Sequence, residues 1–120
     1  VLVHGIPTSL YADEKGKLTF PSILKTLMTD APVMAELLYP IAVGGKMEYP
    51  FSKSHIHIQQ LIDTFGPSRL MWGSDSPNVE RYCTYAQSLT YFTEHFGNLS
   101  PANLRAILRD NALSVYAASA

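Results

Sequence analysis

Four polar side chains stand where they could do chemistry. His4 follows the apolar run Val1-Leu2-Val3, Glu36 lies inside the run from Val33 to Tyr39, and Asp75 follows Leu70-Met71-Trp72-Gly73-Ser74. A neutral imidazole suits a metal ligand or a general base. A carboxylate can hold a divalent ion or take a proton from water. Asp75 is the sharpest of these candidates. Its plainer role is a turn or helix-capping aspartate, but Ser76-Pro77 already offers that cap. Glu36 needs a partner among its apolar neighbours, because an unpaired buried carboxylate is costly; a lysine, an arginine or a substrate can supply one. Arg81, at the start of the next element, can bind a substrate carboxylate through two parallel bonds, with a surface ion pair as its plainer role.

Other candidates read differently. Two histidines spaced as in His55-Ile56-His57 chelate one metal on a strand, where both point the same way. On a helix they point to nearly opposite sides, and the apolar spacing that follows them is helical. His95 falls in the last turn of a helical pattern, where a protonated imidazole favours the dipole. Cys83 has no second cysteine to join and reads as a small packed thiol. Tyr82, Tyr85 and Tyr91 read as a packing face, since no basic cluster accompanies them.

These residues must be positioned by the elements around them. Val1 to Val3 reads as a buried strand. Thr8 to Thr19 is a long polar loop of the kind that serves as a lid or binding loop. A helix starts at Pro21, carries Ile23, Leu24, Leu27 and Met28 at helical spacing, and stops at Asp30-Ala31-Pro32. Val33 to Tyr39 is a second strand, and Pro40 to Lys53 a second long loop. Ser54 can cap a helix whose stripe is Ile58, Leu61, Ile62 and Phe65, ended by Gly66-Pro67. Arg69 to Gly73 is the third strand. Ser76-Pro77 is expected to open one long helix with Tyr82, Tyr85, Ala86, Leu89, Phe92 and Phe96 on one face, closed by Gly97. Ser100-Pro101 repeats the start signal for a helix bearing Leu104, Ile107 and Leu108, and Asn111 is expected to cap a last turn through Tyr116.

Buried strands alternating with helices predict a parallel sheet with right-handed crossovers, either the end of a (β/α)₈ barrel or a small open doubly wound sheet. In both, functional groups gather at the C-terminal ends of the strands. His4, Glu36 and Asp75 then fall on the face that carries the long loops. A chain that opens on a core strand also predicts that its sheet neighbours come from elsewhere, making this the C-terminal portion of a larger domain.

Composition narrows the function. Of 120 residues, 47% are hydrophobic, too many for a disordered charged tail. A formal net charge of -1 gives no electrostatic reason to expect nucleic acid or an anionic membrane. One cysteine cannot form an internal disulfide. No apolar run approaches the roughly 20 residues that cross a bilayer. A pI near 6.4 fits a cytoplasmic protein.

The segment Phe65-Gly66-Pro67-Ser68-Arg69-Leu70-Met71-Trp72-Gly73-Ser74-Asp75-Ser76-Pro77 resembles the last strand of the amidohydrolase-related TIM-barrel family. That family includes aminocarboxymuconate-semialdehyde decarboxylase, resorcylate-type decarboxylases and sugar or dicarboxylic lactonases. The late helix with its Asn111-Ala112 pair is similar as well. The resemblance implies a metal-dependent hydrolase or carboxy-lyase acting on a small carboxylate, lactone or amide. It makes Val1 to Val3, Val33 to Tyr39 and Arg69 to Gly73 the sixth, seventh and eighth strands. Asp75 becomes a ligand of a divalent metal, zinc or else manganese, or the neighbour of its water, and His4 an acid/base or substrate-polarising group. The partner it implies is a small-molecule substrate, and the full-length parent could be a homodimer.

The resemblance also implies ligands that this sequence lacks: the first-strand His-x-His pair, or its Glu variant, and the fifth-strand histidine. A full barrel needs about 250 residues. The expectation is that this chain alone binds metal weakly and is inactive. The rival reading is a non-catalytic α/β scaffold that keeps the fold for binding.

Overall fold

The computed structural model describes residues 1–3, 5–12, 17–38 and 48–117. It is a mixed α/β structure centred on two parallel strands, β1 (Ala35–Leu38) and β2 (Leu70–Gly73). Ala35 lies opposite Leu70 and Leu38 opposite Gly73. Leu2 makes a parallel bridge to Ala35: its amide donates to the Met34 carbonyl at 2.7 Å, and its carbonyl accepts from Glu36 at 3.1 Å. β1 therefore has a parallel neighbour on each side, in chain order, as the alternating pattern predicts. The first strand is shorter than expected, reduced to this one bridge.

Each parallel step needs a crossover. Helix α1 (Ser22–Asp30) spans the first, with Pro21 at its cap position. Met28 is its buried residue, while Ile23 and Leu27 are 76% and 39% exposed, so the helical stripe is right but only its end meets the core. Helix α2 (His55–Phe65) spans the second and buries Ile58, Leu61, Ile62 and Phe65, the stripe read from the sequence. It ends at Gly66, whose φ of 81° requires glycine. Ser54 sits at the cap position of α2 but does not cap. Its hydroxyl donates to the Phe51 carbonyl at 2.7 Å and lies 3.3 Å from the Tyr91 hydroxyl, both residues fully buried. Arg69 reaches back across the sheet to the carbonyls of Ala31 (3.2 Å) and Val33 (3.5 Å), tying the entrance of β1 to the start of β2.

The single long helix expected from Ser76 is not formed. A 3₁₀ turn (Asn78–Arg81) comes first, and α3 (Tyr85–Tyr91) starts only at Thr84. Thr84 and Gln87 form a capping box: the Thr84 hydroxyl accepts from the Gln87 amide at 3.1 Å, and the Gln87 side chain accepts from the Thr84 amide at 2.9 Å. A π-helical turn (Phe92–Phe96) follows, closed by Gly97. This shifts the helical phase. The buried face is Ser88, Tyr91, Phe92 and Phe96, whereas Tyr85 is half exposed. Ser100 does cap the next helix, accepting from Asn103 at 3.2 Å with Pro101 in the first position. There α4 (Pro101–Arg105), a π-helical turn (Ala106–Asp110) and α5 (Asn111–Tyr116) run on in helical backbone. Asn111 is no cap. Its side-chain amide donates to the carbonyls of Pro67 and Leu70, each at 2.8 Å, bonding the last helix to the root of β2.

The core lies between the sheet and the helices. Ala35, Leu37 and Leu70 meet Ile58, Tyr91, Phe92 and Ile107 there. Tyr11 and Phe20, stacked at 4.6 Å, bring the two ends of the first loop onto it. No helix among the described residues is long and apolar enough to cross a membrane.

Burial gives this core a pH signature at both ends. It pushes the phenols of Tyr11 and Tyr91 up to about 12, against a bond from Ser54 that pulls Tyr91 the other way. The folded values exceed the unfolded value of 10.0, so this stability is complete below pH 10.0 and is lost as pH rises towards 12. Burial also pushes His57 below its ordinary 6.5, so its contribution is present above that pH and lost as pH falls through the lowered value. The expected result is a thermal-melting profile that falls on both sides. Replacing both tyrosines with Phe should flatten the alkaline limb; an unchanged limb would mean that other groups set it.

Candidate active site

Asp75 owes its position to the fastening of β2. Asn111 grips the strand at Leu70, and the Trp72 indole N–H donates to the Ser88 carbonyl at 3.2 Å while its ring meets Tyr85 edge-on at 5.6 Å. Two residues past the strand, Asp75 takes a left-handed backbone with φ of 53°. Aspartate tolerates this region better than most residues. The chain turns sharply here. The Asp75 carbonyl accepts from the Val79 amide at 3.1 Å, and the Ser76 amide donates to the Ser74 hydroxyl at 3.3 Å. Fully buried Val79 pins the loop, and its carbonyl accepts from both Tyr82 and Cys83. The Asp75 carboxylate, partly exposed, has no hydrogen bond or ion pair with a described residue. Its fastening is all backbone, which leaves both oxygens for a ligand.

Arg81 ends the same connection and is exposed, with no ion pair to a described residue. It lines an open hollow of about 500 Å³ together with Glu80, Cys83, Tyr85 and Gln87. Gln87 and Thr84 are engaged in the capping box, so the exposed Glu80 and Arg81 side chains and the half-exposed Tyr85 ring are groups of this lining left to meet a ligand. Cys83 is buried and burial pushes its thiol up, as suits a packed thiol.

Glu36 lies half-buried in β1, opposite Met71 and on the sheet face away from Ala35 and Leu37. Its strand neighbour is thus four residues upstream of Asp75. Glu36 thus sits level with the middle of β2, while Asp75 lies beyond its C-terminal end. The parallel sheet does bring the C-terminal ends of β1 and β2 to one edge, where Asp75 and the loop to Arg81 emerge. His4 lies outside the described residues.

His55 and His57 fall on α2 and diverge as expected. His55 packs edge-on against Tyr91 and Phe96, at 5.4 and 5.8 Å, while His57 meets Tyr11 at 6.2 Å. His95 lies in the π-helical turn, 3.9 Å from Glu94 and edge-on to Tyr49. Among the described residues no group of three or more His, Cys, Asp or Glu could hold a metal ion. Stable zinc sites take three or four protein ligands, so the described residues do not by themselves fit the ion.

Four residues support the site without being singled out by the sequence as doing so. Thr84 and Gln87 were visible as a Thr-x-x-Gln capping box just before an apolar stripe. The bonds of Trp72 and Asn111 had no local signal, since their acceptors lie 16 and 41 residues away.

No curated protein and no solved structure matches the chain. The amidohydrolase family model, by contrast, matches residues 10–118, nearly the whole sequence and including the segment that carries Asp75 and Arg81. Family members are generally hydrolases or decarboxylases and typically depend on a divalent metal. The chain belongs to the amidohydrolase family.

Proposed function

We propose that this chain forms the C-terminal part of a (β/α)₈ barrel, strands six to eight, in a hydrolase or decarboxylase of small carboxylate, lactone or amide substrates. The observation that carries the reading is Asp75: a carboxylate without a side-chain partner among the described residues, set by a left-handed backbone at the C-terminal exit of a parallel strand. Barrel enzymes place their reacting groups at that end. The parallel order Leu2, β1, β2 supports the barrel assignment.

Asp75 takes the proton of the attacking water, or holds the reacting group in place, as a carboxylate general base does. Arg81 docks a substrate carboxylate through its planar donors, with the Tyr85 ring beside it. Glu36 contacts substrate from the neighbouring strand, and His4 shuttles a proton. The reading includes a divalent ion, zinc or else manganese, with Asp75 among its ligands and the remaining ligands outside the described residues.

Arg81 gives the direct test. Arg81→Ala should raise KM for carboxylate substrates about tenfold to a hundredfold, with kcat nearly unchanged and neutral lactones unaffected. Equal losses on charged and neutral substrates would remove Arg81 from the site. The rival reading is a binding scaffold. That reading predicts ligand binding without turnover, with or without added zinc.

A further inference from the structure

Trp72, the chain's single tryptophan, is half-buried on β2 just ahead of Gly73-Ser74-Asp75. Its indole joins that strand to α3. The N–H donates to the Ser88 carbonyl at 3.2 Å, and the ring stands edge-on to Tyr85 at 5.6 Å. Ser88 can accept this bond because α3 breaks its own ladder there. In an unbroken α-helix the Phe92 amide would donate to Ser88, four residues back. It donates to the Thr90 carbonyl instead, at the point where α3 gives way to the π-helical turn. The indole N–H takes the place that the Phe92 amide leaves. Such π-turns recur at functional sites. Ser88 is itself fully buried, and its hydroxyl donates to the Tyr85 carbonyl at 2.7 Å. The residue that Trp72 grips is thus tied in turn to Tyr85.

Tyr85 and Arg81 line the hollow at the start of α3. Backbone turns lead to it from Asp75: the Asp75 carbonyl accepts from Val79, and the Val79 carbonyl from Tyr82 and Cys83. The segment from Gly73 to Thr84 therefore carries Asp75 near one end and Arg81 near the other. Trp72 clasps its two ends, β2 and α3.

We propose that Trp72 is a positioning residue that sets the spacing between the Asp75 carboxylate and the Arg81 guanidinium. The proposal rests on the reading of Asp75 as the reacting group and Arg81 as the dock for a substrate carboxylate. A substrate held by Arg81 meets Asp75 only at the spacing this clasp imposes, and a misplacement of about 1 Å can cost about a hundredfold in rate. A substrate without a carboxylate does not use Arg81 and depends on the clasp far less.

The test replaces Trp72 in the assembled enzyme with Phe and with benzothienylalanine, an isostere that has sulfur in place of N–H. The probes are paraconate and aceturate, a lactone and an amide that carry a carboxylate, each beside its neutral methyl ester. Cleavage of the lactone or amide bond is followed. Both replacements are expected to lower kcat on the two acids about tenfold to a hundredfold, with KM within about twofold of the parent. The esters should lose no more than about threefold. The loss on the acids should vanish in an Arg81→Ala background, and fluorotryptophan, which keeps the N–H, should behave as the parent. Circular dichroism melts check folding, and the isostere decides if the Phe variant melts early. Equal losses on acids and esters would reduce Trp72 to a structural role and overturn the proposal, as would unchanged kinetics with the isostere. Acid turnover that survives Asp75→Asn, or a parent that cleaves neither acid, would instead remove the underlying reading and the proposal with it.

Discussion

Replacing Asp75 with asparagine in the assembled enzyme is expected to lower kcat by about three orders of magnitude, the scale of a lost general base. The melting temperature should stay within a few degrees. Asparagine is the right probe because Asp75 has a φ of 53°, a region that Asn shares with Asp. Alanine there adds backbone strain of about 1–2 kcal/mol and so mixes a structural loss with a chemical one. Asp75→Gly completes the set, since it keeps the turn and removes the carboxylate. If Asp75 serves only the turn, Asp75→Gly should remain fully active and Asp75→Ala should melt early. Activity lost in all three, with Asn and Gly variants melting like the parent, is the pattern a reacting carboxylate requires. Full turnover in Asp75→Asn would end the enzymatic reading.

The largest effect on stability belongs to Asn111. Asn111→Leu removes two hydrogen bonds of 2.8 Å and strands the carbonyls of Pro67 and Leu70 beneath the last helix. Bonds of this kind contribute about 1 kcal/mol each, and a buried acceptor left unpaired costs more. The expected loss is about 2–4 kcal/mol, or roughly 10 °C in melting temperature for a chain of this size. Asn111→Asp is the sharper variant. Its shape is conserved, but an ionised carboxylate has no proton to donate and faces two carbonyl oxygens. That environment raises its pKa in the folded state, so stability is present at low pH and lost as pH rises through the raised value. Urea denaturation of the three proteins at acid and neutral pH makes the comparison. A Leu variant within about 0.5 kcal/mol of the parent would show that the two bonds carry little net stability.

The alternation of strand and helix was legible because it is written in short apolar runs and in local stop signals. Gly66-Pro67 and Ser100-Pro101 act within a few residues of themselves, and the structure has both elements where those signals set them. The region from Ser76 to Phe96 was misread for a physical reason. An apolar stripe runs through Tyr82, Tyr85 and Ala86 as if the helix were continuous, but Thr84 and Gln87 start it afresh. A periodicity argument averages over such a break. Ser54 and Asn111 are good capping residues by type, yet Ser54 donates to the Phe51 carbonyl with the Tyr91 hydroxyl alongside, and Asn111 spends its side chain on β2. For Asn111 a tertiary partner in the core displaces the local role.

The same distinction holds at the site. That Asp75 follows a buried strand could be read directly, and the strand end told where reacting groups gather. That its carboxylate has no partner among the described residues could not be read. It depends on the left-handed turn at Asp75 and on the burial of Val79, which apolar periodicity does not report. Glu36 could be placed in a strand by pattern, but its level along the sheet needed the register, in which it meets Met71.

Strand β2 is fastened at Leu70 by Asn111 and at Trp72 through Ser88, from two different helices. A ribbon bolted at both ends can open only if both helices let go together. Its backbone hydrogens should therefore trade with deuterated solvent at the pace of whole-molecule unfolding, while those of Ala12 and Leu18 in the first loop trade faster. Whatever Asp75 does, it does from a perch that stays still while the surrounding loops breathe.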